Sequence, residues 1–424
     1  MVLSLPLFAR YRAWVGGAVL ALLALAWPWY FQSSLALSMG SQMGTLIIIC
    51  LSYNILLGQG GMLSFGHAVY TGLGAFMAVH VMNAASQGGP LVPLVLVPLL
   101  GGLAGLVCAA VLGFAATRQS ATVFSMITLG LGELVAAVAL MFPAWFGGES
   151  GISSNRVYGA PWWGITFGPA LEVYYLIAAY ALLCTLAMWG LTQTPLGRML
   201  NAVRDNPERV AFIGYNPQRV RHIAFIMAGF FAGIGGALAA IHLEMVTAAD
   251  SFSMARSGHY LLFTFLGGAA FFAGPIVGAV LMVLTLVWWS ELSAAWLLYL
   301  GLVFMGVVML APGGLAAVLV AGWRWLVLGQ WRLCGRWHVL QALAGLLALL
   351  GGCAFIELAY HWQQQATLGP QLQFFGVALY TNRLSHWMVA VGCCLCGLGG
   401  WMLCRGRVAR VLHTVSIKPS TSTV

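Results

Sequence analysis

What most constrains this chain is its alternation between long uncharged apolar runs and short polar breaks. The runs are Trp14–Phe31, Ala36–Leu57, His67–Val81, Leu91–Ala116, Thr122–Phe142, Val173–Leu191 and Ile223–His242, then a nearly continuous stretch Tyr260–Ala311, and finally Val339–Leu358 and Trp387–Leu403. One helical bilayer crossing takes about 20 apolar residues. Only 6% of the residues are charged, where a soluble domain carries about 25%, which excludes an ordinary soluble globular fold. The runs are continuously apolar rather than alternating, which argues against a membrane β-barrel. Glycine, 53 of 424 residues, lets membrane helices approach closely. The predicted fold is an all-α polytopic membrane protein.

The few charges orient it. All but one of the 18 basic residues are Arg, and the single lysine, Lys418, lies in Ile417-Lys418-Pro419. The chain therefore has no Gly-Lys-Ser/Thr of a phosphate-binding P-loop. Arg clusters mark the cytoplasmic side: Arg10 and Arg12, Arg118, Arg198 to Arg221, Arg324 to Arg336, and Arg405 to Lys418, leaving Arg156, Arg256 and Arg383 outside. This requires the stretch 257–312 to cross three times, with breaks near Gly274-Pro275 and Ser290–Ser293, and puts both termini in the cytoplasm. The expected organisation is a retained N-terminal helix (1–35), a core of about ten helices in all (36–316), a basic linker (317–338), an extra transmembrane hairpin (339–404) and a basic tail (405–424). Basic residues spread over loops, not gathered on one face, give no nucleic-acid surface. The nine cysteines lie mostly in apolar runs; Cys393-Cys394-Leu395-Cys396 has Cys-x-x-Cys spacing, but inside an uninterrupted apolar run, and reads as packing residues. No His-x-x-x-His or His-Glu-x-x-His spacing occurs, so no metal site is expected.

Three segments carry functional signal. Gly58-Gln59-Gly60-Gly61-Met62-Leu63-Ser64-Phe65-Gly66-His67 interrupts two apolar runs. It is either a tight turn at the membrane surface or a broken helix beside a solute path, since irregular backbone at membrane depth survives only inside protein or along a cavity. Beyond it His67, Tyr70, Thr71, Gly74 and Ala78 share one helical stripe. The second, Phe265 to Ala279, repeats the pattern with Gly267, Gly268 and Gly274-Pro275; interruptions in two halves raise an inverted repeat with the path between them. The third is Thr194–Asn216. Pro195 and Gly197 open a helix; Asn206 caps another, with Pro207 at its first position, Glu208 at its positive end and Gly214 at its stop. Val210 and Ile213 give that helix an apolar side. The segment is either a solvated loop or a docking helix for a partner.

Leu57 to Ala68, Gly197-Arg198, Arg204-Asp205-Asn206-Pro207-Glu208-Arg209, Gly267-Gly268, Gly274-Pro275, Gly278-Ala279 and Ala311-Pro312-Gly313-Gly314-Leu315 together resemble the branched-chain amino acid ABC transporter permeases, over about residues 36–316, and are most similar to the second permease type of that system. The resemblance implies one half of a heterodimeric inner-membrane importer for branched-chain or related amino acids, paired with a paralogous permease subunit. Two cytoplasmic ATPase subunits would bind ATP and Mg, with no cofactor in this chain and no enzymatic activity of its own, and a periplasmic binding protein would deliver substrate. Gly197, Arg198, Arg204, Asp205, Asn206, Pro207, Glu208, Arg209 and Gly214 would form the ATPase coupling element. Gln59, Ser64, His67, Thr71, Glu133, Gly267 and Gly268 are candidates for the translocation path.

Glu133 is the one acid well inside an expected span; such acids are functional by default, or pair with a bundle-facing hydroxyl or backbone group. Glu244, Asp250, Arg256 and His259 bracket an outside loop, as solvated charge or as a contact for a binding protein. Trp162-Trp163 read as interface anchors. The competing function, an ion-driven secondary transporter of small polar solutes, would normally keep several intramembrane ionisable groups. Because the P-loop is missing, the purified chain in liposomes should show no saturable ATP binding; equilibrium binding of labelled ATP measures this, and a saturable isotherm would refute it.

Overall fold

A computed structural model describes residues 16–17, 21–22, 24–89, 92–119, 121–158, 166–293, 295–311, 313–327, 335–363, 371–374 and 377–417. Arg10, Arg12, Trp162, Trp163, Pro312, Arg332 and Lys418 lie outside the described residues. Besides the one-turn helices Pro143–Phe146, Ala248–Ser251 and Ser290–Leu292, the described helices include α1 (Ser34–Asn54), α2 (His67–Ser86), α3 (Val97–Ala116), α4 (Ala121–Met141), α5 (Ala170–Gln193), α6 (Pro195–Asp205), α7 (Pro207–Phe212), α8 (Pro217–Leu243), α9 (Met254–Gly267), α10 (Gly274–Leu284), α11 (Trp296–Leu310), α12 (Gly314–Val327), α13 (Gly335–Gln363) and α14 (Leu384–Ile417). Two short antiparallel pairs join them, Ile152–Ser153 with Met245–Val246 and Gln371–Phe374 with Val377–Tyr380.

Among the described residues, eight helices are long and apolar enough to cross a membrane, or nine if the bent pair Trp296–Met309 and Gly314–Trp323 is one span. The protein is thus a multi-pass α-helical membrane protein. The sequence expects three crossings in 257–312, the first of them short and interrupted or tilted. The first is α9, of 14 residues, which rises about 21 Å against a hydrocarbon core of about 30 Å. Gly274–Trp289 is likewise short, because a π turn at Thr285–Trp289 and a break at Ser293 end it. Helices α9 and α10 instead pack as a tight hairpin, with Gly278 against the Phe263 carbonyl.

The described residues within Met1–Trp288 and Phe304–Ala317 form one compact unit; those within Trp289–Val303 and Val318–Val424 form the other. In the first, α8 is the central helix. Asn216 caps it, its side chain accepting from the Gln218 and Arg219 amides, and Pro217 sits at its first position. Small residues along α8 let backbones touch. A Cβ on Gly236 would lie 1.9 Å from the Thr71 carbonyl oxygen of α2, one on Gly233 2.4 Å from that of Gly101 on α3, and one on Gly105 2.3 Å from that of Gly229. The small-residue spacing in this run is therefore helix contact, as membrane packing favours.

In the second unit the hairpin helices meet at Gly351, against the Cys394 amide, and at Gly397, against the Ala348 amide. Cys394 lies at this close crossing, while Cys396 is exposed. The sequence assigned Trp289–Val303 to the core, but it belongs to this unit. Glu357 explains why: a carboxyl in an apolar helix needs donors, and Ser293 and Tyr299 hydroxyls donate to its Oε1.

Gly236→Val should lower the melting temperature in detergent and the yield of folded protein, since overpacking costs about 1–3 kcal/mol or more where backbone blocks relaxation. Gly190→Ala, with nothing within 4 Å of the added carbon, should be neutral or slightly stabilising; a thermal melt of both variants checks the contrast.

Candidate functional site

The first glycine segment is a break in a span. Past Asn54 the helix widens into a π turn, Ile55–Gln59, before the chain turns at Gly60 and Gly61, the latter at φ +63°. Residues 62–66 are then sewn into protein. The Phe65 amide donates to Thr128 Oγ1 (3.2 Å), Ser125 Oγ to the Leu63 carbonyl (2.8 Å), and Tyr53 OH to the Ser64 carbonyl (2.9 Å). Gly66 abuts the Thr128 carbonyl, where a Cβ would be 2.4 Å away. Buried irregular backbone has its polar groups satisfied by neighbouring helices, and this segment is not a solvated turn.

His67 starts α2 fully buried. Its Nε2 lies 2.9 Å from Ser52 Oγ and its ring meets Tyr53 edge-on. His67 Nδ1, Ser64 Oγ and Asn54 Oδ1 are buried with no hydrogen-bond partner in the protein. An unsatisfied buried polar atom costs about 1–3 kcal/mol, so these three mark a place suited to ordered water or a passing polar solute.

The second glycine segment meets the first. A Cβ on Gly58 would lie 2.3 Å from the Ala269 carbonyl oxygen, in the turn between α9 and α10. Gly267 abuts Gly274, and Gly268, at φ +112°, abuts the Gly313 carbonyl. Both are close-packing and turn residues here.

A cavity of about 470 Å³ opens between α1, α2, α8, α9 and α10. Its polar lining includes Gln42, Thr45, Thr71, Asp250, Arg256 and Tyr260, and its apolar wall includes Leu46, Ile49, Met282 and Leu286. Arg256 Nη1 donates to Asp250 Oδ2 and its Nε to Tyr260 OH (3.1 Å); Ser253 caps the helix that carries it. Of the path candidates only Thr71 lines this cavity. Gln59, Ser64, His67, Gly267 and Gly268 lie away from its lining, at or beside the two breaks. Glu133 is brought to none of them. It sits exposed on α4 among exposed Met126, Leu134 and Met141.

The sequence reading missed Gln42, Thr45, Asp250, Arg256 and Tyr260 as one cluster. Asp250 and Arg256 look like solvated loop charges until the α9 cap turns Arg256 back on Asp250. Glu244 instead pairs with Arg156, whose amide donates to its Oε1 (3.0 Å).

The polar interruption folds into α6 and α7. Thr194 Oγ1 accepts from the Gly197 amide (3.3 Å) and Asn206 Oδ1 from the Arg209 amide (3.0 Å), and Gly214 has φ +93°. Gly197 lies against the Leu191 carbonyl. Arg198, Asp205, Pro207, Glu208 and Arg209 are exposed. The expected apolar side is only half used: Val210 is buried, but Ile213 is 71% exposed and Phe212 89% exposed. Arg204 does not point freely outward; its Nη1 donates to the Gly58 carbonyl.

A sequence profile described as branched-chain amino acid transport system / permease component matches residues 35–312. The chain is 27% identical over 317 residues to the high-affinity branched-chain amino acid transport system permease protein LivM of Escherichia coli strain K12, covering 70% of this chain and 73% of that protein. The LivM of Salmonella typhimurium strain LT2 matches to the same extent. No solved structure matches.

In a cysteine-free background, Thr45→Cys and Thr71→Cys should react with a water-soluble thiol reagent in detergent. Val79→Cys, at a position 0% exposed and off the cavity lining, should stay unlabelled. Failure of Thr45→Cys and Thr71→Cys to react faster than Val79→Cys would show that the cavity is closed to water.

Proposed function

This chain belongs to the branched-chain amino acid transport system permease family, and from that premise we propose that it forms half of the membrane pathway of an ATP-driven importer for branched-chain or related amino acids. The observation that carries the reading is the cavity. It offers an acid and a base side by side, Asp250 and Arg256, next to an aliphatic wall of Leu46, Ile49, Met282 and Leu286. An α-amino acid with a branched aliphatic side chain has this pattern: a carboxylate for Arg256, an ammonium for Asp250, an apolar body for the wall. The volume falls in the range of small-molecule sites.

ATP and Mg are held by two separate cytoplasmic ATPase subunits, which meet the segment 195–216 through exposed Arg198, Asp205, Pro207, Glu208 and Arg209 and the apolar knob of Phe212, Ile213 and Tyr215. Asn206 caps the helix that presents this surface and Gly214 ends it, so both support it. A periplasmic binding protein delivers the amino acid at the cavity end. The chain sits in the inner membrane with both termini cytoplasmic. From the cavity, the path continues past Thr71, His67 and Ser64 to the break at Gln59.

The other half is a paralogous permease subunit. A carboxylate at the bilayer centre costs about 2.5–3.5 kcal/mol on insertion scales, so the exposed Glu133 face of α4 is the surface that such a partner covers. An ion-driven transporter is disfavoured by the placement of Glu133 away from the cavity and the breaks.

The test is uptake of labelled leucine by proteoliposomes holding the permease pair, its ATPases and its binding protein. Uptake should require ATP inside, and Glu133→Cys should crosslink to the partner permease with a short thiol-directed reagent. Uptake driven by a proton or sodium gradient without ATP would overturn the importer reading. Crosslinking to lipid only would overturn the interface.

A further inference from the structure

We propose that Arg204 and Asn201 latch α6 onto the glycine break of α1, making them positioning residues that transfer movement of the segment 195–216 to the solute path. This rests on the reading that an ATPase engages that segment. The argument begins at the break. A helix end leaves carbonyls without intrahelical partners. Here the Leu56 carbonyl accepts from the Met62 amide and the Leu57 carbonyl from the Gly61 amide. The next carbonyl, of Gly58, is taken by the Arg204 guanidinium, a charge-assisted bond and so stronger than a neutral one.

The four residues of the break are then covered in turn by one face of α6. Arg204 holds Gly58. Asn201 Nδ2 donates to Gln59 Oε1 (2.9 Å). Leu200, buried, lies against Gly60, where a Cβ would meet its Cδ1 at 3.3 Å. The Arg204 stem crosses Gly61, where a Cβ would be 2.7 Å from Cγ. Residues 200, 201 and 204 share a face because helical neighbours recur at three and four residues. Arg204 Nε also binds Asp205 Oδ1 (3.0 Å), which orients the planar fork toward Gly58.

Both ends of this latch connect onward. Asn206 ends α6 and caps α7, so the two helices share a stiff corner. On the far side, Gly58 presses on the Ala269 carbonyl between α9 and α10. A push on α7 therefore reaches both glycine breaks through α6, and a side chain at Gly58 or Gly61 would separate the parts. The sequence placed Arg204 among residues that touch the ATPase directly; the geometry gives it the task of passing the movement inward.

The experiment uses the complete reconstituted transporter and measures amino acid uptake per ATP hydrolysed. Arg204→Gln and Asn201→Leu should each lower this ratio by about tenfold, the upper part of the range for coupling residues, and Arg204→Lys should fall between them and wild type. Arg209→Ala, exposed and outside the latch, should lower uptake and hydrolysis together and leave the ratio near wild type. In a cysteine-free background carrying Arg204→Gln, Gln59→Cys and Asn201→Cys joined by a short bifunctional thiol reagent replace the latch covalently and should restore the ratio. A ratio in Arg204→Gln equal to wild type, or a crosslink that blocks uptake, overturns the latch alone. A wild-type complex that transports without hydrolysing ATP overturns the importer reading and this inference with it.

Discussion

The fold depends on backbone meeting backbone. Lipid is as apolar as leucine, so helices in a bilayer gain little from hiding apolar side chains and associate through close packing instead. Helix α8 shows the result. Gly229, Gly233 and Gly236 lie one turn apart and each touches the backbone of α2 or α3. With two neighbours held this closely, the body around α8 has no slack. Movement must then come from places where the helical ladder is already broken, and two of these, at 55–66 and at 268–273, touch each other at Gly58 and Ala269.

Those breaks carry the polar cost of the architecture. Each frees backbone groups that cannot be left unpaired in hydrocarbon. Hydroxyls of Ser125, Thr128 and Ser257 and the phenol of Tyr53 satisfy the first break from three different helices. The atoms that remain unpaired, on Asn54, Ser64 and His67, cluster beside it rather than being scattered along α1 and α2. Packing explains the glycines, and polar satisfaction explains the serines and threonines; neither explains the orphans, which is why a solute path is the reading they support.

Much of this was legible in the sequence. The apolar runs gave the spans because a helix must satisfy itself in lipid, and the 206–214 helix was readable from Asn206, Pro207 and Gly214, whose local chemistry needs no tertiary context. The contacts of α8 were readable from its small residues. What failed to show was pairing across distance. Nothing local tells Arg204 to turn toward Gly58 instead of an outside partner, or Asp250 to join Arg256 at a cavity. Glu133 was misplaced for the same reason: periodicity puts an acid in a span but does not say which side of the helix faces the path. The break at Gly274-Pro275 was legible, but the folding back of α9 on α10 as a hairpin was not, because the turn 268–273, one Gly, three Ala and two Phe, is itself apolar.

The two functional ends lie on one helix. Gln42 and Thr45 line the cavity and Gly58 receives Arg204, all within the span Ser34–Gln59. Sixteen residues of helix from Gln42 to Gly58 amount to about 24 Å at 1.5 Å per residue, most of a hydrocarbon core. Up to Asn54 this helix is regular and packed on α8 and α5, with Gly44 against Ile177, so it resists bending. The π turn after it is the first place where its geometry can change at low cost, since an i→i+5 ladder gains a helical bond by tightening. A displacement applied at Gly58 is therefore absorbed within the π turn or passed whole to the cavity wall at Thr45. The partners of residues 58–61 on α6 decide between these outcomes, because they hold the outer edge of the turn while α8 holds its inner one.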